Sequence, residues 1–241
     1  MNNLQELNDL QREAVMHKDG PCLVIAGAGS GKTKVLTTRI ATLIDSGVES
    51  YHILAITFTN KAAKEMKERL NKIVEDNQAF VGTFHSFGMR VIRENVLKLG
   101  MTRNFTILDS EDVLSIIKKI LKEKGYDIKE VAPSYIRNRI SFIKNEMLTN
   151  AEVEKFFQSD MEKIAYEVYL EYNIRLKQNN SVDFDDLLRL PVLLFQEHPE
   201  VLEHYQDKYQ YILIDEYQDT NEVQYKLVKL LARKYRNLFV V

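Results

Sequence analysis

Ala26-Gly27-Ala28-Gly29-Ser30-Gly31-Lys32-Thr33 is the stretch of the 241-residue chain that decides its fold. It joins Leu23–Ala26, a short apolar segment that predicts a buried strand, to Lys34–Ser46, whose apolar residues share one helical face. Glycines let the backbone curl so that its N–H groups converge on phosphates, and the helix N-terminus adds partial positive charge. We expect Lys32 to reach the β- and γ-phosphates and the Thr33 hydroxyl to bind Mg²⁺. By itself, this loop indicates only an NTPase.

The rest of the chain alternates strands and helices, becomes helical, and then alternates again. Apolar, β-branched segments at Ile53–Phe58 and Phe80–Thr83 predict two further buried strands. The stretch 110–196 is helical in pattern, and strand-like segments return at Tyr211–Ile214 and Leu238–Val241. This order predicts an α/β fold of the P-loop NTPase class: a parallel sheet with helices on both faces and an inserted, mostly α-helical subdomain.

The composition argues against a disulfide-stabilised protein and a membrane protein, but it does not indicate a function. The lone cysteine, Cys22, leaves no disulfide framework and fits a reducing, cytoplasmic setting. No apolar run approaches the ~20 residues of a membrane span, so we expect no membrane partner. The net charge of −2 gives no support to nucleic-acid binding, and the local excess of bases between Lys118 and Lys144 is more typical of a solvated helix face.

A pair of acids follows one of the later apolar segments. Asp215 and Glu216 come directly after Tyr211–Ile214. In combination with a phosphate-binding loop, we expect Asp215 to hold Mg²⁺ and Glu216 to accept a proton from the attacking water. Two acids after a strand can also form a plain polar loop, and the presence of the phosphate loop is what favours the catalytic interpretation.

Taken in order, the motifs resemble the UvrD/PcrA/Rep family of superfamily-one helicases. Asp215–Thr220 (DEYQDT) resembles the family's DExQ-type second motif, Leu54–Ala63 its motif Ia, Gly82–Ser86 its motif Ib, and Leu7–Gln11 its Q-motif. Ala26, where the phosphate-loop consensus has glycine, is usual in this family. The resemblance spans the whole chain.

The resemblance implies a set of roles for the nucleotide site. It implies that Gln11 contacts the adenine edge and makes the site prefer ATP to GTP, whereas Lys34 stands where the family commonly has arginine and lacks a planar guanidinium for stacking. The catalytic residues would be Lys32, Asp215 and Glu216, and the metal ligands Thr33 and Asp215. The nucleotide-binding set is Gln11, Ala26, Gly27, Ala28, Gly29, Ser30, Gly31, Lys32, Thr33, Lys34 and Gln218.

The resemblance also implies a groove for single-stranded DNA. Phe58 would stack on a base, a contact worth roughly 1–3 kcal/mol that ignores base identity. The other residues of the groove would be Thr59, Asn60, Lys61, Thr83, Phe84 and His85. Each also has a structural interpretation: Phe58 alternates with Ile56 as a core residue would, Thr59 and Asn60 are good helix caps, and a lone histidine is more often structural.

As a whole, the resemblance implies the first RecA-like domain of an ATP-dependent 3′–5′ DNA helicase acting on single-stranded DNA and on duplex/single-strand junctions. This domain would occupy 1–88 and 206–241, with its C-terminal end truncated and a helical insertion at 89–205. A second RecA-like half would supply catalytic arginines, so we expect the chain alone to be poorly active. A helicase–nuclease of the AddA or RecB kind and a nucleotide-dependent DNA-binding module without motor activity are the alternatives. Asp183-Phe184-Asp185-Asp186-Leu187 is also typical of the family and is interpreted as acids at a helix N-terminus, with no catalytic role.

Overall fold

The computed structural model describes residues 4–27 and 29–241 and contains a parallel sheet of five strands in the order β1-β7-β6-β2-β3. The strands of the chain are β1 (Cys22–Leu23), β2 (Ile53–Thr57), β3 (Phe80–Thr83), β4 (Thr106–Ile107), β5 (Ser181–Val182), β6 (Tyr211–Ile214) and β7 (Asn237–Val240). β4 and β5 pair separately with each other. The mixed α/β class with a parallel sheet is confirmed.

Eleven α-helices connect and cover these strands in the described chain. They are α1 (Asp9–Met16), α2 (Lys32–Asp45), α3 (Asn60–Asn71), α4 (Phe84–Glu94), α5 (Ser110–Glu123), α6 (Pro133–Asn145), α7 (Asn150–Phe156), α8 (Asp160–Gln178), α9 (Asp186–Glu197), α10 (Pro199–Lys208) and α11 (Glu222–Ala232). Among the residues described, no helix is both long enough and apolar enough to cross a bilayer.

The chain divides into two compact units. The first contains the chain up to Phe87 together with Phe195–Thr220 and Leu227–Val241, and it holds the five-stranded sheet. The second contains Gly88–Leu194 and Asn221–Lys226, and it is mostly helical. The domain limits that the family resemblance implies, 1–88 and 206–241 around 89–205, stay a prediction.

The core of the first unit forms where α2 covers the central strands. Leu36 and Ile40 of α2 pack in one buried cluster with Ile53 of β2, Leu213 of β6 and Phe239 of β7. β2 is buried along its whole length because strands lie on both of its sides and other elements cover both of its faces. Such strands appear in sequence as continuous apolar runs, which is why their limits were predicted closely.

β1 differs from the prediction. We expected Leu23–Ala26 to be a buried strand, but β1 spans Cys22–Leu23 and leaves 66% of Leu23 exposed, while Ile25 just beyond it is 90% exposed. β1 lies at the edge of the sheet and pairs only with β7. An apolar run of four residues does not show whether a strand will be central or at an edge, because that depends on the strand order.

The second unit has its own core. Ile117 and Leu121 of α5 pack with Ile140 of α6 and with Val168 and Tyr172 of α8. α5, α6 and α8 therefore share one apolar core, and the mostly helical character of this region matches the prediction.

Gly88 permits a close backbone contact in this unit. A Cβ atom added at Gly88 would lie 1.9 Å from the carbonyl oxygen of Leu187. That carbonyl would normally accept a helical hydrogen bond from residue 191, but Pro191 has no N–H to donate. α4 and α9 can therefore approach each other at this point only because residue 88 has no side chain.

Candidate functional site

The phosphate-binding loop has the backbone conformation that its glycines predict. Gly29 and Gly31 have φ values of +74° and +83°, in the left-handed region that side chains disfavour, and α2 begins immediately afterwards at Lys32. The first N–H groups of a helix have no partner within it, so those at the start of α2 are available to an anion. Ala28 lies outside the described residues.

Gln11 lies against this loop. Its side-chain Nε2 donates to the Ser30 carbonyl at 2.8 Å, and its Oε1 accepts from the backbone N–H of Asn8 at 3.0 Å. Asn8 in turn caps α1 by accepting from the Gln11 N–H at 2.8 Å. The fold thus places Gln11 beside the phosphate loop, and its contact with an adenine edge stays a prediction.

Arg39 anchors the other end of α1, and sequence reasoning missed it. This buried guanidinium donates to the carbonyls of Val15 at 3.2 Å and Lys18 at 3.1 Å, and it lies over the Phe239 ring at 4.5 Å. Burial is the main cause that lowers the pKa of Arg39. An arginine among the apolar residues of α2 was the available signal, because a charge on a buried helix face needs a partner.

Lys34 makes an ion pair of its own. Its Nζ lies 2.8 Å from a carboxylate oxygen of Glu6 and also donates to the Glu6 carbonyl at 3.2 Å. The hydrogen bond and charge of Lys34 lower the pKa of Glu6. Lys34 therefore ties the segment before α1 to the start of α2. Whether it also contacts a nucleotide stays a prediction.

The second motif places its two acids in different environments. Asp215 follows β6 and is buried, with its backbone N–H donating to Ile56 at 3.0 Å, whereas Glu216 is exposed and has a φ of +53°. Burial and the charge of Glu216 raise the pKa of Asp215, and the charge of Lys32 opposes that rise. Within the described residues, neither carboxylate makes an ion pair. Gln218 lies exposed in the short 3₁₀ turn that follows.

The donor set fits Mg²⁺. The Thr33 hydroxyl and the Asp215 carboxylate are hard oxygen ligands of the kind that Mg²⁺ prefers. A buried carboxylate whose pKa is raised by burial also gains when a cation comes to it, because the cation offsets the cost of its charge. The residues present therefore suit a magnesium ion that is shared with a bound nucleotide.

Phe58 lies half-buried at the end of β2. Its ring meets the ring of Phe84 edge-on, with centroids 5.5 Å apart at 71°, and Phe84 itself is 1% exposed. Phe84 thus supports Phe58 from within, and only Phe58 offers part of its ring to solvent. Base stacking on Phe58 stays a prediction.

The remaining residues of the predicted groove include two caps. Thr59 caps α3 through a hydrogen bond from the Ala62 N–H at 3.1 Å, and Asn60 and Lys61 are exposed beside it. Thr83 is buried, and its hydroxyl accepts from the Ser86 N–H at 3.2 Å. His85 is half-buried, and this burial lowers its pKa to about 4, so it is neutral near pH 7.

Sheet topology brings the phosphate loop, the acid pair and Phe58 to one edge of the sheet, the edge formed by the carboxyl ends of the strands. The carboxyl ends of parallel strands share an edge of the sheet, which is where ligands bind in open α/β folds. The phosphate loop follows β1, Asp215 follows β6, and Phe58 follows β2. The β1 and β6 ends form the predicted nucleotide part of the edge, and the β2 and β3 ends form the predicted DNA part.

Comparison with known proteins agrees with this geometry. The sequence model of the UvrD/REP helicase N-terminal domain matches residues 7–241, which is nearly the whole chain. The chain belongs to the UvrD/REP helicase N-terminal domain family. The family resemblance deduced from the motifs is therefore confirmed.

Several named proteins align with nearly the whole chain. The chain is 49% identical to the ATP-dependent DNA helicase PcrA of Staphylococcus aureus (strain Mu50 / ATCC 700699) and to that of Bacillus subtilis (strain 168). It is 48% identical to PcrA of Staphylococcus epidermidis (strain ATCC 35984 / DSM 28319 / BCRC 17069 / CCUG 31568 / BM 3577 / RP62A). Each alignment covers 99% of this chain and 33% of the relative. The chain thus spans about a third of the length of the curated relatives it matches.

In this UvrD/REP domain the acid string after β5 belongs to a buried cluster. Lys144 is fully buried, and its Nζ lies 2.7 Å from Asp183 and 2.8 Å from Asp186. The Tyr172 hydroxyl also donates to Asp183 at 2.8 Å. Burial opposes both charges, but mutual attraction outweighs it, so the pKa of Lys144 is raised and that of Asp183 is lowered.

The helix-cap interpretation of these acids holds, and the lysine was missed. Asp183 accepts from the backbone N–H of Asp186 at 2.9 Å, at the start of α9. The available signal was spacing: Lys144 follows Ile136 and Ile140 at four-residue intervals, on the buried face of α6. A lysine in that register predicts an acidic partner elsewhere in the chain.

Proposed function

We propose that this chain is the ATP-binding part of an ATP-dependent 3′–5′ DNA helicase, which couples ATP hydrolysis to movement along single-stranded DNA and to unwinding at duplex/single-strand junctions in DNA repair or replication. The observation that carries the proposal is the shared sheet edge, where a phosphate loop follows β1 and an acid pair follows β6. The relatives are named ATP-dependent DNA helicase, which supports ATP as the nucleotide and DNA as the substrate. The reducing interior of a bacterial cell suits its lone Cys22.

The nucleotide part of the edge would perform the hydrolysis. The first N–H groups of α2 and the Lys32 ammonium would hold the phosphates, and Thr33 and Asp215 would hold Mg²⁺. When bound, Mg²⁺ neutralises charge on the β- and γ-phosphate oxygens. Glu216 is exposed beyond the buried Asp215, and its carboxylate would accept the proton of the attacking water.

Base selection would come from Gln11. Its amide already lies against the loop at Ser30, so it would read the adenine edge beside the phosphates. An amide side chain can pair with the donor and acceptor that adenine presents, as glutamine does with adenine elsewhere. Gln218, exposed after the acid pair, would complete the nucleotide contacts.

The DNA part of the edge would hold a single strand. Phe58, supported by the buried Phe84, would stack on a base, and the exposed Asn60 and Lys61 would meet the backbone. Stacking suits a motor that moves over any sequence, because every base has a π-face. The caps at Thr59 and Thr83 hold the backbone at this edge in place and would line the groove with His85.

A second RecA-like half would complete the motor. Arginines supplied by a facing domain accelerate phosphoryl transfer by about 10³–10⁵-fold in other nucleotide hydrolases. No such domain lies within the described residues, so we expect this chain to bind ATP and Mg²⁺ but to hydrolyse ATP slowly.

The test compares this chain with a polypeptide extended to the length of its relatives. ATP hydrolysis is measured with and without single-stranded DNA, for each protein and for its Lys32→Ala variant. DNA-stimulated turnover in the extended protein alone, abolished by Lys32→Ala, supports the proposal. Fast, DNA-stimulated turnover by the 241-residue chain would show that the need for a second half is wrong.

A further inference from the structure

Asn145, at the end of α6, lies in a chain of side-chain hydrogen bonds that the hydrolysis chemistry does not use. Its Nδ2 donates to the carbonyl of Ser141 at 3.0 Å and to Asp185 at 2.9 Å. Because two acceptors hold the Nδ2 side, the Oδ1 side must face the remaining partner. That partner is Asn221, whose Nδ2 donates to Asn145 Oδ1 at 3.0 Å. All of these residues belong to the second compact unit.

Asn221 also caps α11. Its Oδ1 accepts from the Gln224 N–H at 3.0 Å, and its own N–H donates to the Gln224 side chain at 3.0 Å. The side-chain amides therefore donate in one direction. The Gln224 backbone N–H donates to Asn221 Oδ1, Asn221 Nδ2 donates to Asn145 Oδ1, and Asn145 Nδ2 donates to Asp185. A series with one direction throughout has a single stable arrangement of its amides.

Asn221 is also the residue that follows the second motif. The catalytic segment Asp215–Thr220 is held at its start by the strands, where the Asp215 N–H donates to Ile56 and the Tyr217 N–H to Val241. Its far end, Thr220, continues directly into Asn221. Between the two ends, Glu216 has a left-handed conformation that costs free energy and persists only when the neighbouring backbone is restrained.

We propose that Asn145 and Asp185 are positioning residues for Glu216: through Asn221 they anchor the end of the catalytic segment. The inference rests on the proposed role of Glu216 in hydrolysis. It assigns a function to Asp185, the second acid of the Asp183–Asp186 string, which faces Asn145 rather than Lys144.

The first variant is Asn221→Asp. Aspartate caps helices as well as asparagine does, so the bond from the Gln224 N–H remains. The donor to Asn145 is lost, however, and a carboxylate then faces the Asn145 Oδ1. We expect the backbone amides of Tyr217–Thr220 to exchange with deuterium about tenfold faster, as for the loss of one net hydrogen bond.

The second variant reverses the direction of the series. In Asn221→Asp/Asp185→Asn, the Asn145 amide can rotate, donate to residue 221, and accept from residue 185 and from the Ser141 hydroxyl instead of donating to Ser141, with the net charge unchanged. We expect exchange to return to within about twofold of the original rate. Asp109→Asn, which alters the cap of α5 in the same unit, serves as the control and should leave Tyr217–Thr220 unchanged.

Unchanged exchange in Asn221→Asp, or a failure of the double variant to restore protection, would overturn the proposal. In the extended polypeptide, Asn221→Asp should lower kcat for ATP about tenfold and leave KM unchanged, and the double variant should recover kcat. Exchange does not depend on hydrolysis. If exchange behaves as expected while Glu216→Gln hydrolyses ATP normally, the anchoring contact stands and the assigned role of Glu216 fails.

Discussion

Two lysines, each associated with a pair of acids, have opposite environments. Lys144 is fully buried, and Asp183 and Asp186 both lie within 2.8 Å of its ammonium. Lys32 is half-buried at the start of α2, and within the described residues it makes no ion pair, although its charge acts on Asp215. The acids associated with Lys32 are likewise unpaired within the described chain.

The difference separates a structural cluster from a site. The Lys144 ammonium is paired with two carboxylates inside the protein, so removing it should cost stability. The Lys32 group leaves a cation, free N–H groups and two carboxylates at the same sheet edge, a set of groups that the proposed phosphate and metal would satisfy. Charges that remain unpaired after folding indicate where a ligand binds.

The largest expected effect is on the Lys32 side. Glu216→Gln removes the proton acceptor and retains the size of the side chain, so we expect kcat for ATP hydrolysis in the extended polypeptide to fall about 10²–10⁴-fold. Binding of a fluorescent ATP analogue should be retained. A variant that keeps near-normal turnover would remove Glu216 from the catalytic role.

The next effect is on the Lys144 side. Lys144→Met removes the ammonium that pairs with two buried carboxylates and leaves only Arg189, 3.9 Å from Asp186, as a cation beside them, so we expect the free energy of unfolding in urea to fall by about 3–5 kcal/mol. Lys124→Met breaks a partly exposed pair with Glu167 and should cost no more than about 1 kcal/mol. Lys32→Met should lie within about 0.5 kcal/mol of the parent. If Lys32→Met and Lys144→Met lowered the free energy of unfolding equally, the distinction between a binding-site lysine and a structural lysine would be wrong.

Two glycines, Gly88 beside α9 and Gly27 in the phosphate loop, allow the same comparison of a structural position with a site position, with a smaller expected effect. Gly88→Ala places a methyl group against the Leu187 carbonyl, so we expect a loss of about 1–3 kcal/mol, measured as a fall in the urea midpoint. Gly27→Ala at the phosphate loop meets no atom within 4 Å and should leave the midpoint nearly unchanged. An unchanged urea midpoint for Gly88→Ala would show that α4 and α9 can move apart at this point without loss of stability.

The smallest effect concerns pH. The pKa of His85 is lowered by burial to about 4, below the value of about 6.5 for an unfolded chain. Between these values the unfolded state binds more protons, so this histidine contributes stability near pH 7 that is lost as the pH falls from 6.5 towards 4. We expect His85→Gln to reduce the slope of unfolding free energy against pH in that window. An unchanged slope would show that His85 does not titrate this way.

Local signals carried most of the fold and the nucleotide site. β3 and β6 lie where the sequence predicted them, and β2 ends one residue earlier, at Thr57. β2 and β6 are central and buried, and such strands appear as unbroken apolar runs whose limits are visible without a partner, whereas β3 lies at the edge of the sheet opposite β1. The phosphate loop was equally visible. Its glycines and the helix that follows are adjacent in the chain, and together they make the backbone N–H groups converge.

The α/β class, the order of the motifs and the family could be predicted before the structure was known, since each of these depends on residues close together in the chain. Only the packing of distant segments placed β1 at an edge of the sheet, Phe84 beneath Phe58, and Lys144 between Asp183 and Asp186. It also brought Asn145 to Asn221, 76 residues away. No local pattern identifies such a partner, because burial and pairing depend on which distant segments the packed core brings together.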